Sequence, residues 1–228
     1  MIKNITKILV LMSFLIVTFT LLYTSYNIFF NDIIYEKNYF MGCATYYLLL
    51  VFVIFIVKNK HIRISETLLY IIVLFNFSAS ILGELFNFYY HFALWDNLLH
   101  CISGILLTIL ALNLLYAFNK EDDLKHLNYF TIFVFLIGFV AIISIGWELY
   151  EFFMDSFFNY NMQKSFFVTT SNFDFMQYVN SANIFVAPSL VDTMGDLLQG
   201  MLFAVITAVL ILLSGPKKII NKYIKKTF

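Results

Sequence analysis

The chain has 228 residues, 61% of them hydrophobic and 12% charged, with 14 basic and 14 acidic side chains and a formal net charge of zero. Its mean hydropathy is +0.84. A soluble domain carries about 25% charged and about 45–50% apolar residues, so this composition excludes a soluble globular domain, a disordered chain and a nucleic-acid binder that needs a basic face.

The solvent of such a chain is lipid, and the predicted fold class is all-α. A bilayer core takes about 20 apolar residues as helix, and only helices or closed barrels satisfy the backbone there. The apolar runs are too long and continuous for the alternating strands of a barrel. In chain order the predicted spans lie near 8–30, 39–57, 67–88, 97–118, 128–153 and 191–215. They form a polytopic bundle of about six transmembrane helices, read as a single domain over 1–228. Lys3 and Lys7 precede the first run. That run is too long for a signal-peptide core and no small-x-small cleavage site follows, so it reads as a retained span. Pro216 stops the last one. The long connection, 154–190, is rich in Phe, Tyr and Asn and reads as an interfacial or partly re-entrant loop on the outer side.

Lys and Arg in the short loops set the orientation. An N-in/C-in arrangement places Lys3, Lys7, Lys58, Lys60, Arg63, Lys120, Lys125 and the tail lysines Lys217, Lys218, Lys222, Lys225 and Lys226 inside. Only Lys37 and Lys164 remain outside. The neutral total then divides into +8 on the inner side and −8 on the outer side. The tail cluster reads as a topology anchor with affinity for anionic headgroups. Cys43 and Cys101 lie in apolar runs and read as free buried thiols.

The acidic residues gather at the outer span ends. Glu84 lies near the end of the third span, Asp96 and His100 at the start of the fourth, Glu148 and Glu151 at the end of the fifth, and Asp192 and Asp196 at the start of the sixth. The pairs are spaced i,i+4, i,i+3 and i,i+4, so each pair shares one helix face. Ser103 and Gln199 extend two of these faces, and Gly104 and Gly200 would let helices approach closely. Taken singly, Asp96 and Asp192 read as N-caps. His61, His91 and His126 read as surface residues, and Trp95 and Trp147 as interface anchors.

Taken together, the acidic set asks for a countercharge. Ionisable groups in spans usually face a bundle interior or a wet cavity and mark function. Several carboxylates around one imidazole need either protons or a cation between them. The candidate metal ligands are Asp96, His100, Glu148, Glu151, Asp192 and Asp196, with Glu84 as a further candidate, and the ion would be Zn, Mn, Mg or Fe. The candidate catalytic groups are His100, Glu148 and Glu151, as general bases or acids.

Three blocks carry a resemblance: Trp95-Asp96-x-x-x-His100-x-x-Ser103-Gly104, Trp147-Glu148-x-x-Glu151-Phe152 and Asp192-Thr193-x-x-Asp196. On these blocks the chain resembles the YjdF-type bacterial inner-membrane protein family, a domain of unknown function. It is less closely similar to VanZ-like membrane proteins. The resemblance implies a multi-pass protein of the cytoplasmic membrane and carries no established activity. The residues themselves point to a metal-dependent enzyme or a protein handling a lipid or envelope precursor, with the bilayer as its first partner. The alternatives are a cation or proton-coupled transporter, and a non-catalytic membrane partner whose acidic cluster is structural.

Overall fold

The computed structural model describes residues 2–30, 37–58, 66–92, 94–119, 126–158, 160–163 and 188–216. Outside them lie Lys60, His61, Arg63, Lys120, Lys125, Lys164, the tail lysines and most of the 154–190 connection. The described regular elements are all helical. They are α1 (Ile2–Phe30), α2 (Lys37–Lys58), α3 (Glu66–Phe77), a π-helical segment (Ser78–Leu85), α4 (Phe88–His91), α5 (Trp95–Phe118), α6 (Tyr129–Phe158) and α7 (Pro188–Ser214).

Among the described residues, five stretches are long and apolar enough to cross a membrane: Leu11–Phe30, Leu68–Leu85, Trp95–Phe118, Tyr129–Phe158 and Ser189–Ser214. In the expected second position, α2 has 22 residues and contributes the shorter apolar stretch Gly42–Val51. Phe19, Leu22, Ile142, Leu149, Leu198 and Leu213 are all exposed. So much outward apolar surface marks a bilayer-facing exterior rather than a water-facing one.

The helix ends follow local chemistry. Asn128 caps α6: its Oδ1 accepts the Thr131 N–H at 2.7 Å and the Thr131 hydroxyl at 2.8 Å. Pro188 opens α7, where its missing N–H removes no helical bond. Gly215 follows α7 at φ 85°, the left-handed turn that favours glycine after a helix. The sixth span therefore starts three residues before its expected 191, and the fifth runs on past 153 to Phe158. Asp192 lies within α7 beyond its first turn, and Asp96 in the first turn of α5. Neither is an N-cap.

The helices divide into two compact units, one of 1–91, 113–125 and 214–228, the other of 92–112 and 126–213. The first unit packs Val17, Cys43, Tyr46, Val73 and Ile81 into a core flanked by Leu21, Leu50 and Phe77. A polar chain runs through it. Ser13 Oγ and Tyr46 Oη share a hydrogen bond at 3.0 Å, Asn76 donates to the Tyr46 carbonyl at 2.9 Å, and Ser80 donates to Asn76 Oδ1 at 3.2 Å.

The third span does not run as one α-helix. From Ser78 it winds as a π-helix, with the Phe86 N–H donating to the Ile81 carbonyl five residues back, at 3.0 Å. Gly42 on α2 makes room for this wider coil, because a Cβ there would meet the Ser80 carbonyl oxygen at 2.7 Å. The span ends at Asn87, whose φ of 55° reverses the chain. Asn tolerates that conformation better than most side chains.

In the second unit each helix turns one stripe inward. On α6 the buried residues are Ile132, Leu136, Val140, Glu148, Glu151 and Met154. On α7 they include Asp196, Ala204, Ala208 and Ile211, with Gly200 in the same row. Gly104 of α5 sits against the Gly200 carbonyl of α7, which occupies the place a Gly104 Cβ would take. This small-residue crossing holds the two backbones close. The stripes are apolar along most of their length and acidic at one end.

Candidate metal centre

The acidic ends of α5 and α7 meet beside the glycine crossing. His100 is one turn along α5 from Asp96, and its Nε2 lies 3.6 Å from Asp96 Oδ1. The same nitrogen lies 3.4 Å from Asp196 Oδ2 on α7. One ligand atom from each of Asp96, His100 and Asp196 falls within 4.8 Å of the others. These separations are long for hydrogen bonds. They match the edge of a coordination shell: donors about 2.0–2.2 Å from one tetrahedral ion stand roughly 3.4 Å apart.

Three more of the expected carboxylates lie within electrostatic range of Asp196. The charges of Asp96, Asp192, Glu151 and Glu148 all act on its carboxyl group through space. Glu148, Glu151 and Asp196 are buried, while Asp192 is half-buried. The Gln199 Oε1, less than one turn along α7, is buried without a hydrogen-bond partner among the described residues. Glu84 belongs to the first unit, where its Cβ and Cγ lie over Gly42. The Ser103 hydroxyl donates to the His100 carbonyl, one turn back on its own helix, at 2.8 Å.

Among the described residues, the second unit holds no Lys or Arg. Residues 92–112, 126–158 and 188–213, which carry all six second-unit candidates, include no Lys or Arg. Within these segments the charge is left to protons or an added cation to offset. One imidazole with two carboxylates suits Zn, Mn or Fe, whereas Mg prefers an all-oxygen shell.

Two features escaped the sequence reading. Trp147 is more than an interface anchor: its indole N–H donates to Glu151 Oε1 at 2.8 Å, which fixes that carboxylate. The Trp-x-x-x-Glu spacing was the available signal. Asp155, one turn beyond Glu151, accepts the backbone N–H groups of Met162 and Gln163 at 2.7 and 2.9 Å. Cys43 and Cys101 are free thiols, as expected, though only Cys43 is buried and Cys101 is half-buried; His91 and His126 are exposed, as expected.

The profile of a family described as predicted membrane protein (DUF2238) matches residues 5–216. The chain belongs to the DUF2238 family. The match takes in all six expected spans almost entirely and fits the YjdF-type resemblance. No curated protein and no solved structure matches this DUF2238 chain.

Proposed function

We propose that the second unit holds one divalent cation on Asp96, His100 and Asp196, and uses it to act on a lipid or envelope precursor at the outer face of the cytoplasmic membrane. The observation that carries this reading is the Asp-His-Asp group itself, with ligand atoms within 4.8 Å of one another on helices that supply no Lys or Arg of their own. Glu148, Glu151 and Asp192 complete the shell or work beside it. A cation here would polarise a phosphoryl or carbonyl oxygen, or make a bound water nucleophilic at neutral pH. With His100 committed to the ion, Glu148 and Glu151 are the bases left to take a proton.

An ion in transit would need ligands along the whole unit. The far halves of the inward stripes instead offer Ile132, Leu136 and Val140 on α6 and Ala204, Ala208 and Ile211 on α7. That favours a fixed site over a pathway.

The test is metal analysis of protein purified in detergent without chelator, followed by titration of the stripped protein with Zn, Mn and Fe. We expect roughly one tightly held ion per chain, as for a single mononuclear site. Asp196→Asn and His100→Ala should each abolish it while keeping the helical content. Protein that purifies metal-free, takes up none of the three ions and gains no thermal stability from them would overturn the reading.

A further inference from the structure

The chain leaving α6 turns back over the acidic end of the second unit. Both carboxylate oxygens of Asp155 hold this turn, one on the Met162 N–H and the other on the Gln163 N–H. The Tyr160 N–H reaches back to the Met154 carbonyl at 3.5 Å. From there the turn crosses to α7, where the Gln163 side-chain amide donates to Thr193 Oγ1 at 2.9 Å. Gln163 is buried. Burial, with Tyr150 adding to it, pushes the Tyr160 phenol up to about 12.

The levels of these contacts matter. Asp155 is one turn beyond Glu151 on α6, and Thr193 stands between Asp192 and Asp196 on α7. Residues 160–163 therefore bridge α6 and α7 on the terminal side of Glu148, Glu151 and Asp196 and at the level of Asp192. The α5 side is more open: the Asp96 and His100 side chains are 21% and 15% exposed, against 7% for Asp196. On the same turns Leu98, Leu149, Phe152, Met194 and Leu198 present exposed apolar surface.

We propose that the turn 160–163, latched by Asp155 and Thr193, is a roof that shuts the carboxylate site from water and leaves it open to the bilayer, so that its substrate is a membrane-dissolved amphiphile entering beside α5. This rests on the metal-centre reading for what the roofed space does, but the roof can be tested without any metal. The roof excludes water-soluble substrates by position, and the apolar surface at the same level gives an acyl or prenyl chain a place to lie while a polar head reaches the acidic residues.

The test uses Ser103→Cys, one turn below His100, as a reporter in a Cys43→Ala/Cys101→Ala background reconstituted in proteoliposomes. A charged, membrane-impermeant thiosulfonate and a lipophilic maleimide are compared in metal-stripped protein. With the roof intact, the maleimide should label and the charged reagent should lag. Asp155→Asn combined with Gln163→Ala should raise the charged-reagent rate by about tenfold or more, the opening expected when bonds to a charged acceptor are lost. The maleimide rate should stay the same. Thr193→Val removes only the hydroxyl and keeps the shape, and should give the same direction should the double variant fail to fold. Equal charged-reagent rates with the roof intact and broken would overturn the roof. Failure of the maleimide to label the intact protein would overturn the bilayer route. Either result leaves the metal titration standing, and a failed titration leaves the labelling result standing.

Discussion

His100 is the residue on which the site turns, because one ring nitrogen faces carboxylates from two helices. An imidazole so placed can take a proton or a metal ion, and the missing basic side chains make it the only nitrogen base on these helices. Trp147 acts one step further out. By holding Glu151 Oε1 it restricts that carboxylate to one orientation, and partners of this kind commonly tune metal affinity. Trp147→Phe keeps most of the aromatic bulk and removes the N–H donor. It should weaken metal binding about 10–100-fold, the usual cost of a lost outer-layer partner, as read by competition with a chromophoric chelator. Unchanged affinity would leave the indole a purely structural role. The pairs Asp96/His100, Glu148/Glu151 and Asp192/Asp196 were legible in the sequence because helical spacing fixes which residues share a face. The Asp155–Gln163–Thr193 bonds were not, because they depend on how a loop folds back, which no spacing rule describes.

At the level of helices, the site exists because α5 and α7 touch. They touch at Gly104, where a methyl group has no room beside the Gly200 carbonyl. Gly200 faces a looser space, where an added Cβ would meet the His100 carbonyl oxygen at 3.6 Å and Ser144 Oγ at 3.9 Å, both ordinary contacts. The two glycines should therefore behave differently. Gly104→Ala should cost about 1–3 kcal/mol by overpacking and loosen the Asp-His-Asp group, whereas Gly200→Ala should be nearly neutral. Thermal unfolding in detergent, paired with metal content, checks the ranking, and the reverse order would contradict this packing. Hydropathy located the helices well and their ends less well. Pro188 starts α7 earlier than the apolar run suggests, since a proline at the first helical position contributes conformation rather than hydropathy. The π-helical winding of Ser78–Leu85 was not legible at all. It is bound up with partners distant in the chain, Gly42 and the Tyr46 carbonyl, and no local pattern encodes them.

Across the whole molecule, the zero net charge conceals a dipolar sequence. The assigned topology puts most Lys and Arg on one side and gathers ten of the 14 acidic residues on the other. Reporter fusions should place both chain termini in the cytoplasm, the side where basic loops are retained. An external C-terminus would reverse the membrane side of the site while leaving its internal geometry intact.

The chain has only two tryptophans. Trp95 adjoins Asp96 at the start of α5, and Trp147 is bonded to Glu151 on α6. Indole emission from this protein therefore arises entirely within reach of the acidic cluster. The molecule carries its own optical reporter. Paramagnetic Mn or Fe would quench it and closed-shell Zn would not, so the purified, unlabelled protein can disclose what kind of ion it holds.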